Sequence, residues 1–422
     1  MIDPIMRILY IAGLAVKTLS IRPCWLPWRH LMRRVAVVGV GNTPFRARHI
    51  EKTFPRLAFE SVRAAFQDAG ASRDDIDSVV YGIYNDFFEH CAMPDHHIHY
   101  LLGMARKPGV RVTTGGATGG YAVRAAFAEV ASGLHDVVMV VGVEKVGDMA
   151  NVIEMVKSIT LAADPFFEAH LGASPAGSYG GAILWHMEHY GTTEEDMARV
   201  VVKNKGNARN NPDAQSPMEL TVEDVLKSPM IIYPLKILDH CLNSEGAATI
   251  ILASEEAAAR FSRDPVWITG IGASTESGRQ AERDDVGKSL FPAVRASAEA
   301  AYRMAGVTDP GTAIKVAEVY DSFSGVEICL YEEFGLCGWG EGTRFLRDGR
   351  ADMGGTNPVN PSGGLIGGEH AIGATGVYQV AEIVRQIRGE AGARQVPGVK
   401  TGIAQSMGGA RGAYSVTIVL EG

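Results

Sequence analysis

Short apolar runs alternate with amphipathic stretches along most of the chain. The run at 33–45 is rich in β-branched residues and ends in Gly, Asn and Pro, which predicts a buried strand. Apolar residues recur at helical spacing in 55–70, and two further runs at 77–85 and 136–146 predict strands. Because strands that alternate with helices usually form a parallel sheet covered on both faces, the pattern predicts an α/β fold with a parallel sheet.

The second part of the chain repeats this arrangement. The second part begins with a strand predicted at 264–274, as the first part begins with the strand predicted at 33–45. Gly116–Val123 reads GATGGYAV and Gly373–Val380 reads GATGVYQV, a match at six of eight positions, each at the start of a predicted helix. Chance similarity is the alternative, but a duplicated unit is favoured. Duplication would bring the two helix N-termini together about a pseudo-twofold axis, where small residues let the backbones pack closely.

The pattern divides the chain into three parts. Residues 1–31 hold an apolar run too short to span a bilayer and predict a non-globular leader or a misassigned translation start. The N-terminal half is expected at 32–262 and the C-terminal half at 263–422. Within the first half, 150–235 is less regular and rich in Asn, Asp, Pro and aromatic residues, which predicts an insertion that shapes substrate recognition.

Composition excludes several classes of function. The chain of 422 residues carries a formal charge of −8 and has no basic stripe, so no nucleic-acid partner is expected. No segment is long and apolar enough to predict a membrane span. The five cysteines are an odd number, widely spaced and without a CxxC pair, which indicates free thiols in a reducing, cytoplasmic compartment.

Histidines gather at 87–100, together with Cys91 and Asp95. A zinc site is conceivable there, but the spacing matches no usual ligand pattern, so we expect no metal and favour a loop at a subunit interface or pocket mouth. His170, His186 and His189 in the insertion are expected to be packing or pocket-lining groups.

The segment Asn360–Gly376, NPSGGLIGGEHAIGATG, carries the strongest indication of chemistry. His370 follows a glycine-rich loop and precedes the second GATG helix start. An imidazole held there could donate or accept a proton near neutral pH.

This loop resembles the GHP-type histidine motif of thiolases, in which the histidine follows the paired glycines by six positions, as His370 follows Gly364. The resemblance continues in LDHCLNSEGAATIILAS (238–254), EVYDSFSGVEICLYEEFGLCGWGEG (318–342) and QSMGGARG (405–412). It is closest to the sterol-carrier-protein-X and lipid-transfer-protein type. The resemblance implies a thiolase-like fold of two duplicated βαβαβαββ halves, stacked in layers α-β-α-β-α, with an insertion in the first half.

The sequence departs from the family at the reactive positions. Gly116 stands where the resemblance places the nucleophilic cysteine, Ser406 where it places a second cysteine, and Tyr320 where it places an Asn or His. His370 and Tyr320 are therefore the candidate catalytic residues. Gly116 and Gly408 would offer backbone N–H groups to an oxyanion, and Ser406 would also line the substrate site.

Without an acyl-carrying cysteine, the resemblance implies aldol or retro-aldol chemistry on a 3-hydroxyacyl-CoA through a CoA enolate. Either Tyr320 or His370 could be the base. Lipid-transfer-protein relatives that act as aldolases also have tyrosine in the YD-x-F segment, although we expect tyrosine rather than His370 in their loop. Two alternatives stay open: a non-catalytic acyl-CoA or lipid-binding subunit, and an acetyltransferase that uses another cysteine, with Cys91 as its candidate.

The resemblance also implies partners. Coenzyme A would enter as part of the substrate, and no bound cofactor is expected. A homodimer is expected, and a small zinc-ribbon/OB-fold protein could complete the site.

Overall fold

The computed structural model describes residues 32–149, 151–168, 174–261, 263–283 and 289–422. The leader predicted at 1–31 lies outside these residues, as does His170. Arg33–Gly422 form one compact unit. None of the described helices has the length and hydropathy that crossing a membrane requires.

The first part of the chain alternates strands and helices as the hydrophobic pattern predicts. The elements are β1 (Val35–Asn42), α1 (Phe54–Ala69), β2 (Ser78–Gly82), α2 (Pro94–Leu101), β3 (Gly109–Val112), α3 (Thr118–Ser132) and β4 (Val137–Lys145). Helix α1 shows why the boundaries fall where they do: Pro55 stands in its first turn, and Gly70 ends it in the left-handed conformation, with φ of 66°.

The next stretch carries helices of its own before the chain returns to the sheet. It contains α4 (Val152–Thr160), α5 (Pro175–Tyr190), α6 (Glu194–Ala208), α7 (Val222–Leu226) and a small hairpin, β5 (Met230–Ile232) with β6 (Leu235–Lys236). The sheet resumes with β7 (Glu245–Ser254), followed by α8 (Glu255–Ala258).

The second part holds the remaining elements. They are β8 (Val266–Thr275), α9 (Pro292–Ala305), α10 (Pro310–Ala313), β9 (Val316–Glu318), α11 (Ser324–Glu333), α12 (Gly342–Arg347), α13 (Ile372–Arg388), β10 (Thr401–Gly408) and β11 (Tyr414–Glu421). The halves predicted at 32–262 and 263–422 therefore each contribute strands and helices, and the boundary itself stays a prediction.

Apart from the β5–β6 hairpin, the described strands form one sheet in the order β3-β2-β4-β7-β1-β8-β11-β10-β9. The expectation of a parallel sheet was wrong for most of it: β2 pairs in parallel with β3 and β4, and β9 with β10, whereas the other pairs are antiparallel. Helical crossovers connect the parallel strands, while β10 and β11 follow each other through a short turn that reverses the chain. The two halves meet where Ala36 and Val37 pair with Trp267 and Val266.

The second half has lost part of the duplicated pattern. Where the first half has β3, the second has a single parallel bridge between Ala317 and Val359. Pro358 and Pro361 flank this position and lack the N–H groups that a longer ladder requires. Among the described residues, the second half therefore contributes four strands where a full βαβαβαββ unit would contribute five.

The expected layers are present. Helices α3 and α13 pack on each other between the strands of the two halves, while α1 covers the outer face of the first-half strands and α9 that of the second. The close approach of the central helices depends on glycine: a Cβ at Gly119 would lie 2.8 Å from the backbone N of Gly376. The matched GATG segments thus bring two helix N-termini together at the centre of the molecule.

Candidate active site

Gly116 and Tyr320 occupy the same small space at the start of α3. Gly115, with φ of 63°, turns the chain into the helix, and Tyr320 follows β9. A Cβ built on Gly116 would lie 2.7 Å from Cζ of Tyr320 and nearer still to its hydroxyl oxygen. The tyrosine hydroxyl therefore fills the position that a side chain at residue 116 would take.

Tyr320 is fixed at both ends. Its backbone N–H donates to Oε1 of Gln405 at 3.0 Å, and its hydroxyl is 2.6 Å from Nε2 of His370. The two rings meet edge to face, with centroids 5.5 Å apart. Residues 116, 320 and 370, which lie far apart in the sequence, thus form one contiguous group.

The surroundings of His370 determine which ring nitrogen carries the proton. Nδ1 is 2.9 Å from the carbonyl Oδ1 of Asn243, which can only accept, so Nδ1 donates. In the neutral ring Nε2 is then the acceptor, and the Tyr320 hydroxyl donates to it. The His370 backbone is held by Ser244, which accepts from its N–H through Oγ and donates to its carbonyl, both at 2.9 Å.

The glycine loop before His370 is held by the residue that follows Tyr320. Gly363 and Gly364 have positive φ angles of 105° and 58°, which begin a π-helical turn over Gly364–Gly368. The carboxylate of Asp321 accepts from the backbone N–H of Leu365 at 2.6 Å and of Ile366 at 3.3 Å. The loop that carries His370 and the segment that carries Tyr320 are therefore joined directly.

Burial keeps both candidate catalytic groups neutral. Desolvation, with a smaller contribution from His240, lowers the pKa of His370 to about 3. Desolvation, followed by the nearby Cys241, raises the pKa of Tyr320 well above its usual value. Over the physiological pH range the site therefore holds a phenol that donates and an imidazole that accepts.

The other two predicted site residues lie on β10. A Cβ at Gly408 would lie 2.6 Å from the N of Ala117 and nearer still to that of Gly116, so the two glycine backbones are in contact. Ser406 is buried between the central helices: a Cβ on Gly376 would lie 2.9 Å from its Oγ, and one on Gly120 would overlap it. Among the described residues Oγ has no hydrogen-bond partner.

Two residues of the site were not recognised from the sequence. Asn243 sets the tautomer of His370, and the buried Cys241 has its Sγ 3.5 Å from Nδ1 of the same ring. Burial raises the pKa of Cys241. Both residues belong to the segment CLNSEG, whose polar pair directly before a buried strand was the available signal.

Two of the other histidines have hydrogen-bond partners outside the candidate site. His99 Nδ1 is 2.9 Å from the Tyr81 hydroxyl, and the buried His186 lies between Thr192 and Glu332, at 2.7 Å and 3.0 Å. Within the part of the chain that the structure describes, no three potential metal ligands lie together.

Comparison with known proteins gives matches along both halves. Residues 35–256 match the family model "Thiolase, N-terminal domain" and residues 272–421 match "Thiolase C-terminal domain-like". An acetyl-CoA acetyltransferase of Methanothermobacter thermautotrophicus is 38% identical over 391 residues, which cover 92% of this chain and 99% of the relative. Sterol carrier protein 2 of Bos taurus is 34% identical, covering 93% of this chain and 73% of the relative.

A solved structure gives a further match. The Ltp2-ChsH2(DUF35) aldolase superposes with a TM-score of 0.78 at 26% identity, covering 93% of this chain and 98% of the matched chain.

Proposed function

Since the chain belongs to the thiolase superfamily, a family of acyl-CoA proteins, we propose that it cleaves the Cα–Cβ bond of a 3-hydroxyacyl-CoA without forming an acyl-enzyme. The observation that supports this is the position of the Tyr320 hydroxyl, which fills the space beside Gly116. In the resemblance to thiolases, this is where the acyl-carrying cysteine would stand. The similarity to a structure named as an aldolase supports the same choice of reaction.

The Tyr320–His370 pair would move one proton. As the Cα–Cβ bond breaks, the β-hydroxyl proton passes to the Tyr320 oxygen while the tyrosine proton passes to Nε2 of His370, 2.6 Å away. The bonding electrons move to Cα and form the enolate of the CoA thioester. The proton then returns through the pair to Cα, so the products are a carbonyl compound and a shortened acyl-CoA, and no redox cofactor is consumed.

The enolate oxygen would lie against the backbone N–H groups of Gly116 and Gly408. The two glycine backbones are in contact and Gly116 adjoins the Tyr320 hydroxyl, so the oxygen and the proton-transfer pair would be neighbours. Donors placed in advance where charge develops typically contribute roughly 3–4 kcal/mol each to catalysis.

The sequence left open whether Tyr320 or His370 is the base. The hydrogen bonds of His370 favour one assignment. Because Nδ1 of His370 donates to Asn243, the neutral ring has no second N–H to offer an enolate. His370 is therefore proposed as the final proton acceptor and Tyr320 as the group that touches the substrate.

Two alternative functions, an acetyltransferase and a carrier subunit, make different demands on the protein. An acetyltransferase, the activity in the name of the Methanothermobacter relative, would need a cysteine thiolate. Burial raises the pKa of all four described cysteines, of which Cys91 is the least buried. A carrier subunit would bind acyl-CoA without turning it over.

A separate partner protein is also proposed, because the name of the aldolase structure pairs two proteins.

The decisive experiment measures aldehyde and acetyl-CoA release from 3-hydroxyacyl-CoAs by wild type, Tyr320→Phe and His370→Gln, with and without a candidate partner protein. We expect each substitution to lower kcat about 100-fold to 10,000-fold. Tyr302→Phe is the matched control, because this buried tyrosine donates its hydroxyl to the carbonyl of Phe334, away from the site. The lyase proposal fails if wild type binds acyl-CoA but releases no aldehyde under either condition.

A further inference from the structure

A cavity of about 260 Å³ opens beside the glycine turn that starts α3. Thr114 and Gly115, which precede Gly116, form one side of it, and Gly409, which follows Gly408, forms another. The cavity therefore borders the place where the thioester carbon would react. Its wall also includes Tyr84.

The walls of the cavity are aromatic and aliphatic. Tyr84, Phe87 and Tyr414 line it, together with Leu161 and Ala162, which directly follow α4. An engineered protein cavity of about 150 Å³ holds a benzene molecule, so 260 Å³ accommodates one aromatic ring with a few attached atoms. Sites for larger ligands extend to about 1,000 Å³, so this cavity surrounds a single ring more completely than it would a larger ring system.

Two of the residues that line the cavity each hold a buried polar atom without a hydrogen-bond partner among the described residues. Oδ1 of Asn85 accepts from the backbone N–H of Phe87 at 2.9 Å and of Phe88 at 3.0 Å, which fixes the orientation of the amide. Its Nδ2 is buried, as is Oγ1 of Thr114, and neither atom has a hydrogen-bond partner among the described residues. Because buried polar atoms almost always have partners, a ligand oxygen that reaches these two side chains would satisfy hydrogen-bonding capacity that the protein leaves unused.

We propose that the cavity takes the substituent on Cβ of the 3-hydroxyacyl-CoA, and that this substituent is a single aromatic ring bearing an oxygen. Asn85 would donate to that oxygen, and Thr114 would complete its hydrogen bonding. The assignment rests on the proposed lyase reaction, in which the Cα–Cβ bond breaks, the hydroxyl proton ends on Cα, and an aryl aldehyde leaves acetyl-CoA behind.

The first test compares three substrates that differ only at Cβ. They are 3-hydroxy-3-(4-hydroxyphenyl)propanoyl-CoA, its unsubstituted phenyl analogue and 3-hydroxybutanoyl-CoA. We expect kcat/KM to rise by at least about tenfold from methyl to phenyl, because the ring fills the cavity, and by about tenfold again with the ring hydroxyl. Equal turnover of all three would overturn the proposal.

Variants separate the ring from its oxygen. Ala162→Trp fills the cavity and should remove the preference for the ring, whereas Asn85→Ala should remove only the preference for the ring hydroxyl. Ile153→Trp is the matched control: this residue is exposed on α4 and lies outside the cavity lining, so it should leave both preferences unchanged. If Asn85→Ala affects both aryl substrates equally, the amide serves a water molecule or the fold, and the assignment of the oxygen is overturned.

A binding measurement separates this inference from the lyase proposal. The unreactive analogue 3-(4-hydroxyphenyl)propanoyl-CoA is titrated calorimetrically into wild type and the three variants, with butanoyl-CoA as the reference. Tighter binding of the aryl analogue, lost in Ala162→Trp, supports the cavity assignment even if no substrate turns over. Equal affinity for the two acyl-CoAs overturns the cavity assignment even if the lyase is active.

Discussion

Replacing Gly116 by alanine tests the packing of the proposed site most directly. The added methyl would lie 2.7 Å from Cζ of Tyr320 and nearer still to the hydroxyl and to the backbone carbonyl of Met407. Neither obstacle is the end of a flexible chain: the tyrosine is buried and hydrogen-bonded at both ends, and Met407 belongs to β10. The phenol or the start of α3 must therefore move.

The size of the effect follows from this geometry. Forcing an extra carbon into a well-packed interior costs typically about 1–3 kcal/mol, so the free energy of unfolding should fall by that amount. Relief of the overlap requires a displacement on the order of 1 Å, which would break the 2.6 Å hydrogen bond from Tyr320 to His370. A displacement of that size in a catalytic group lowers turnover by about 100-fold.

The assay combines denaturant unfolding with steady-state lyase turnover. Gly181→Ala is the control, because this glycine lies within α5 and a methyl there meets no atom within 4 Å among the described residues. That control should be stabilised by about 0.5–1 kcal/mol and keep full activity. In a Tyr320→Phe background, Gly116→Ala should cost less stability, because the nearest obstacle has gone. Wild-type stability and turnover in the single Gly116→Ala variant would refute the reasoning.

Three further predictions follow from the hydrogen bonds and pKa shifts. Iodoacetamide should leave lyase turnover unchanged, because burial raises the pKa of the described cysteines; inactivation that substrate prevents would contradict this. Asn243→Leu should lower kcat about tenfold or more with little change in KM, because the Nδ1 proton of His370 loses its acceptor, and Asn243→Asp should restore part of the rate. The folded-state pKa of His370, about 3, lies below the usual 6.5, so below pH 6.5 the unfolded state binds the extra proton and stability falls. From pH 6.5 to 5.5 the wild type should lose about 1 kcal/mol relative to His370→Gln, measured by urea unfolding; parallel pH profiles would contradict the assignment.

The sequence predicted the regular elements because their burial patterns are local. Continuous apolar runs identified strands such as β1 and β4, and apolar residues at helical spacing identified helices such as α1, within a few residues. Whether two paired strands run in the same direction depends on the path of the chain between them, which local patterns do not show. For this reason the prediction of a parallel sheet was wrong for most strand pairs. The missing third strand of the second half depends on two prolines whose effect is clear only when the ladder is known.

The sequence identified the residues of the candidate site but not the contacts between them. The glycine loop, the GATG helix starts and the YDSF segment are each visible in the sequence, and they led to Gly116, Tyr320 and His370. No sequence pattern shows that the tyrosine hydroxyl fills the space beside Gly116, or that Asn243 fixes the tautomer of His370, because these contacts join segments more than 100 residues apart. In the proposed reaction, the tautomer of His370 decides which group of the pair accepts the proton.

Residues 116 and 320 are best understood as one unit. A side chain at 116 and a tyrosine at 320 exclude each other, because the phenol fills the space that the side chain would need. A relative with a cysteine at 116 would therefore require a smaller residue at 320, and glycine at 116 is what allows the tyrosine to reach His370. In the proposed reaction, the absence of a nucleophile at 116 and the proton-transfer role of Tyr320 would thus both follow from this packing. For this reason we interpret Gly116 as part of a reorganised site and not as a defect in an inherited one.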